Sequence, residues 1–202
     1  MMAVIVQSVV TDPLPRDDAQ RKAYDASDGL LSVPLPAAVP LHALVADLQA
    51  ALAQGTAPPV RKAGVALLAF LSQHFAVRPP ALSVLGLRPH KVLEGQYSYE
   101  LFGDYTFETQ KIRVWMRTAK LGKITSFRGL LNTLVHEFFH HLDVLHFKNK
   151  HTPHTRGFYT RIDGLYHLCL NTPADQRMPL IWRKRGSVWA ADWPAMRAAV
   201  KR

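Results

Sequence analysis

His136-Glu137-Phe138-Phe139-His140 sets two imidazoles four residues apart, with a carboxylate beside the first. On an α-helix, positions i and i+4 stack one turn apart on one face. Two such rings can converge on a single ion at about 2.0–2.1 Å. The intervening carboxylate then lies beside the ion rather than on it, where it can take a proton from water. With ten histidines in 202 residues, random placement gives about 0.01 expected matches to this H-E-x-x-H spacing. The competing reading is an exposed histidine pair satisfied by nearby polar groups.

The residues around the motif predict a helix over 126–147, with Ser126 as N-cap. Phe127, Leu130, Leu131, Leu134, Phe138, Leu142 and Leu145 follow the i, i+3, i+4, i+7 spacing of an apolar face. Gly129, Asn132, Thr133, His136, His140 and Asp143 project on the other side, as a polar stripe along a core-seeking helix. A second helix is expected over 155–170, with Phe158, Ile162, Leu165 and Cys169 on one face.

Two imidazoles do not complete a catalytic metal site, which needs three protein ligands and an open position. Asp143 shares the face but lies seven residues from His136, about 10.5 Å along the axis. It suits an acceptor that holds the other ring nitrogen of His140, or else a solvated carboxylate. His141 and His146 point about 140° and 80° away from His136. The third ligand must come from another segment, and His151 and His154 flank Thr152-Pro153 just ahead of the second helix.

His136-Glu137-x-x-His140 followed by His154-Thr155-Arg156-Gly157-Phe158 resembles the SprT-like and related minimal gluzincin-type metallopeptidases. In those, a third histidine begins a helix and an aromatic follows four positions later. The resemblance implies His154 as third ligand, since His151 would put Thr155 at the aromatic position. It spans roughly residues 61–170. It implies an α+β, minimal zincin-like fold, with helices packed on a small, mostly antiparallel sheet and the H-E-x-x-H on the active-site helix. Zn2+ on His136, His140 and His154, with Glu137 as general base toward a Zn-activated water, would hydrolyse a peptide bond of a protein or peptide substrate. SprT-like proteins often carry a downstream cysteine zinc ribbon, which the single Cys169 cannot build.

Other elements must position these residues. Leu41, Leu44, Val45, Leu48 and Leu52 predict a short amphipathic helix. Val65, Leu68, Leu71 and Phe75 predict a helix over 61–75 that Pro79-Pro80 stops. Strand-like runs follow at 81–87, 98–105 and 111–116, with breaks at Gly103-Asp104 and Thr109-Gln110. The run 111–116 could be a sheet edge on which an extended substrate lies, or an ordinary interior strand. Tyr159 could stabilise a developing oxyanion, or simply be half-buried.

The composition, 48% hydrophobic and 20% charged, excludes a disordered polymer or collagen-like repeat, and one cysteine cannot make an internal disulfide. It fits a reducing, cytoplasmic setting. Seven of the 14 prolines fall in residues 1–60, which read as a proline-rich arm with one short helix, wrapped on the domain or mobile. Residues 61–172 read as the zincin-like domain and 173–202 as a basic tail. The first ten residues read as a short strand or loose tail. No apolar run reaches the 18–20 residues of a membrane span.

The net charge is +10, and the tail carries Arg177, Arg183, Lys184, Arg185, Arg197, Lys201 and Arg202 among Trp182, Trp189 and Trp193. Arginine interleaved with aromatics suits phosphates and stacked bases. The alternative function is therefore a nucleic-acid-binding protein with a structural zinc, or a DNA-associated SprT-like protease. Against it, Trp189 and Trp193, at i, i+4 spacing, could dock a last helix onto the core.

Overall fold

A computed structural model describes residues 9–93 and 97–200, so most of the N-terminal strand-or-tail expectation lies outside the described residues. In chain order come α1 (Asp18–Gly29), α2 (Ala38–Ala53), α3 (Ala57–His74), β1 (Ala81–Leu87), β2 (His90–Leu93), β3 (Tyr97–Glu100) and β4 (Gly103–Thr106). Then follow β5 (Lys111–Arg117), α4 (Phe127–Leu145), α5 (Arg156–Cys169), β6 (Trp182–Arg185), β7 (Val188–Ala191) and α6 (Trp193–Val200). The class is α+β. The chain divides into two compact units, Pro36–Lys148 and the pair Met1–Leu35 with Asn149–Arg202, boundaries that cut across 60 and 172.

In the unit Pro36–Lys148, Pro58 and Pro59 stand in the first turn of α3, where a missing N–H costs nothing and the fixed φ suits a helix. The buried stripe of α3 is Val60, Gly64, Leu67, Leu68 and Leu71. It is rotated from the expected one, for Val65 is 45% exposed. The rotation follows from the partners: α3 packs on both α2 and β1, and Gly64 abuts the Leu82 side chain.

The sheet order is β1-β5-β4. β5 runs parallel to β1 (Leu82↔Ile112, Val84↔Val114) and antiparallel to β4 (Tyr105↔Ile112), so this sheet is mixed. Of the edge and interior readings of residues 111–116, the interior one applies. That run is the middle strand, and the uninterrupted burial of Val114, Trp115 and Met116 is what a doubly covered strand requires. The edge is β4. The expected strand 98–105 also divides at Leu101-Phe102. There β3 turns to pair with β2, the Leu101 N–H donates to the Pro89 carbonyl, and the Phe102 carbonyl accepts from Trp115 N–H.

In the other unit, the acidic stretch of the expected arm is the helix α1. Asp17 caps it by accepting from the Gln20 N–H at 2.9 Å, and Arg21 pairs with Asp25 one turn on. Only Tyr24 and Ser27 of α1 are buried, too few to leave an apolar periodicity. Its last carbonyls meet α5. Buried Arg161 donates to the carbonyls of Ser27 at 2.9 Å and Leu30 at 2.7 Å. Gly157 lies so close that a Cβ there would run into the carbonyl oxygens of Ser27, Asp28 and Leu30.

The basic tail begins with a hairpin. β6 and β7 pair antiparallel, Arg185↔Val188, around Gly186 at φ +60°, the conformation a two-residue primed turn needs. Val10 bridges Ala190, and Thr11 N–H donates to the Trp189 carbonyl at 2.8 Å. Trp189 therefore sits on β7 and Trp193 opens α6, which corrects the single-helix reading of that pair. Among the described residues no helix is long and apolar enough to cross a membrane.

Candidate metal centre

The motif helix forms where the sequence places it. Ser126 caps α4, its hydroxyl accepting from the Gly129 N–H at 3.1 Å. The apolar face is fully used: Leu131, Phe138 and Leu142 have no exposed surface. The polar stripe is covered as well, with Thr133, Glu137, His140 and Asp143 all buried. That burial excludes the solvated-carboxylate reading of Asp143. Against this stripe lies β4. A Cβ on Gly103 would collide with the Thr133 methyl and crowd Glu137 Cγ at 3.2 Å, so the glycine lets the edge strand run directly beside the motif glutamate.

Burial pushes the Glu137 carboxyl up to about 8, with the negative charge of Asp104 adding to the shift. A cation bound alongside would favour the ionised form instead. Asp104 itself is held by Arg113 at 2.8 Å.

His136 Nε2 and His140 Nε2 face each other at 3.1 Å. Tetrahedral ligands about 2.0–2.1 Å from a zinc stand ~3.4 Å apart, so the pair is close to ligand spacing without rearrangement. The other helix histidines are engaged elsewhere, as their angles require. His141 Nε2 donates to the Arg78 carbonyl at 2.8 Å, which leaves Nδ1 to accept from the Tyr105 hydroxyl at 3.0 Å. His146 Nδ1 lies 3.0 Å from the Phe75 carbonyl.

His154 precedes α5, whose N-cap Thr155 accepts from the Phe158 N–H at 3.0 Å. The imidazole has Phe158 edge-on, with ring centres 5.3 Å apart, and Tyr159 stacked at 5.9 Å. The Tyr159 hydroxyl donates to the Val10 carbonyl at 3.2 Å, and burial, with the Asp12 charge, pushes it up to about 12. That bond favours the half-buried reading of Tyr159.

His136 and His140 stand in the unit Pro36–Lys148 and His154 in the unit that contains Asn149–Arg202, and the helix pair supplies two of the three nitrogens a catalytic zinc takes from protein. His151 is exposed. It lines a hollow with Pro13, Tyr24 and Pro153. One residue beside His154 has no motif to announce it: Asp12, whose carboxylate reaches the His154 main chain and ring. Its only sequence signal is that it ends the apolar N-terminal run.

No family model, curated protein or solved structure matches this chain. In the tail, the Trp182 ring lies 5.8 Å from that of Tyr159, and the Arg156 guanidinium covers Trp189 at 4.6 Å. Both indoles are thus engaged within their own unit, while Arg183, Lys184 and Arg185 of β6 stay exposed.

Proposed function

We propose that the chain is a zinc-dependent metallopeptidase of the SprT-like, minimal-gluzincin kind, hydrolysing peptide bonds with Glu137 as general base. The observation that carries this reading is the facing pair His136 and His140, Nε2 to Nε2 at 3.1 Å, with Glu137 buried on the same helix; His154 is the third ligand the reading requires. Three neutral imidazoles suit zinc, and a three-protein-ligand set leaves the position a catalytic ion needs. When bound, the ion would lower the pKa of a coordinated water toward about 7.

The chain's own residues supply the rest. The Glu137 carboxylate accepts the proton of the attacking water and returns it to the leaving amine. β4 ends the sheet order, so it replaces residues 111–116 as the strand on which an extended peptide could add main-chain hydrogen bonds. Glu137→Gln should retain the metal, measured by elemental analysis, and lose peptide hydrolysis about 10²–10⁴-fold. Undiminished cleavage by a metal-loaded variant would defeat the assignment.

The nucleic-acid reading draws on the exposed Arg183-Lys184-Arg185 run of β6. Binding to a DNA oligonucleotide that weakens steeply with salt would support it. A flat salt response would remove phosphate contacts from consideration.

A further inference from the structure

His154 differs from the helix histidines in having no repeating backbone geometry to aim it, so something else must fix its ring. The contacts of Asp12 supply the answer. Its Oδ2 accepts from the His154 backbone N–H at 2.9 Å, and its Oδ1 lies 3.4 Å from the His154 Nδ1. The Asp12 N–H donates to the His154 carbonyl at 2.8 Å. Three contacts thus join the same two residues.

Asp12 is itself tied down. Thr11 is bonded to β7 through its N–H and through its hydroxyl, which accepts from Trp189 N–H at 2.9 Å. The Tyr24 hydroxyl of α1 reaches the Asp12 carbonyl at 3.4 Å. With Phe158 and Tyr159 against the ring, the imidazole is set on its faces and along its Nδ1 edge.

We propose that Asp12 is a positioning residue of the metal centre, gripping His154 at the main chain and at Nδ1 so that Nε2 is the nitrogen offered to the ion. The inference rests on the proposed reading of His136, His140 and His154 as zinc ligands. A carboxylate can only accept, so Nδ1 carries the proton and Nε2 keeps its lone pair for the metal. A ring anchored this way has its orientation fixed.

The test uses the full chain and Zn2+ in competition with a chelating dye. Asp12→Asn should weaken zinc binding about 10-fold, and Asp12→Ala up to ~100-fold. Because Asp12 acts through His154, Asp12→Asn should cause no further loss in a His154→Ala background. An equal loss in that background, or unchanged affinity in the single variant, overturns the proposal. Nitrogen NMR of the zinc-free protein supplies a readout that a purely structural staple would not move. His154 should be the Nδ1–H tautomer in the wild type and a mixture in Asp12→Asn; an Nε2–H wild-type ring overturns the role. Failure of the wild type to take up Zn2+ would sink the centre and Asp12's part in it. Zinc-binding wild type beside an indistinguishable Asp12→Asn would sink Asp12 alone.

Discussion

His136 and His140 owe their approach to four residues of helix, whereas His154 is held by a carboxylate 142 positions away in sequence. The helix pair needs only that α4 form, and α4 forms because Ser126 caps it and its apolar face is buried. The His154 segment needs α1, α5, the Val9–Asp12 stretch and the β6–β7 hairpin to assemble first. Local spacing builds ligands cheaply in conformational terms, since an i, i+4 pair is ordered by the helix that carries it. A loop ligand has no such scaffold and must be ordered by contacts distant in sequence.

Breaking each side separately sharpens this contrast. The largest effect is expected from Phe138→Ala, which deletes a fully buried ring and should cost about 3–5 kcal/mol in denaturant unfolding. Far-ultraviolet helicity should fall along with metal uptake, because the pair and its helix fail together. Gly157→Ala attacks the other side by forcing α5 off the Ser27 and Leu30 carbonyls. It should cost about 1–3 kcal/mol and weaken zinc binding while α4 stays helical. Full zinc affinity in this variant would show that His154 does not depend on the α1–α5 contact.

Asp28→Asn makes the smallest and most diagnostic change. Asp28 pairs with Arg156; burial would raise its pKa, but Arg156 outweighs that and holds it below 3.8. The pairing therefore adds stability that is present above about pH 4, where an unfolded aspartate ionises, and lost as pH falls through the lower folded value. The variant should be on the order of 1 kcal/mol less stable near neutrality. Its deficit should shrink in acid, as followed by thermal melts from pH 7 to 3. A deficit that is the same at every pH would separate the pair from folding energetics.

The legibility of the chain follows the same divide. α4, α5, β1 and β5 lie where periodicity and caps put them, because each buries a face whose spacing matches its own repeat. α1 escapes that logic, since Tyr24 and Ser27 alone are buried and the rest of its surface is polar. Its signal was the cap, Asp17 with Gln20 three residues on. The tail hairpin left a similar trace in Gly186-Ser187 between Trp-Arg-Lys-Arg and Val-Trp-Ala-Ala, a turn dipeptide between strand-like runs. The place of residues 111–116 within the sheet was not readable, because a strand's pattern records how many of its faces are buried and not which neighbours flank it.

The amino-acid order by itself determined the helical histidine pair with its glutamate, because an α-helix converts residue spacing into direction without help from the rest of the chain. What grips the His154 ring and which strand runs beside Glu137 were decided only in three dimensions. Each depends on backbone groups far apart in sequence finding hydrogen-bond partners, and no local repeat encodes such a meeting.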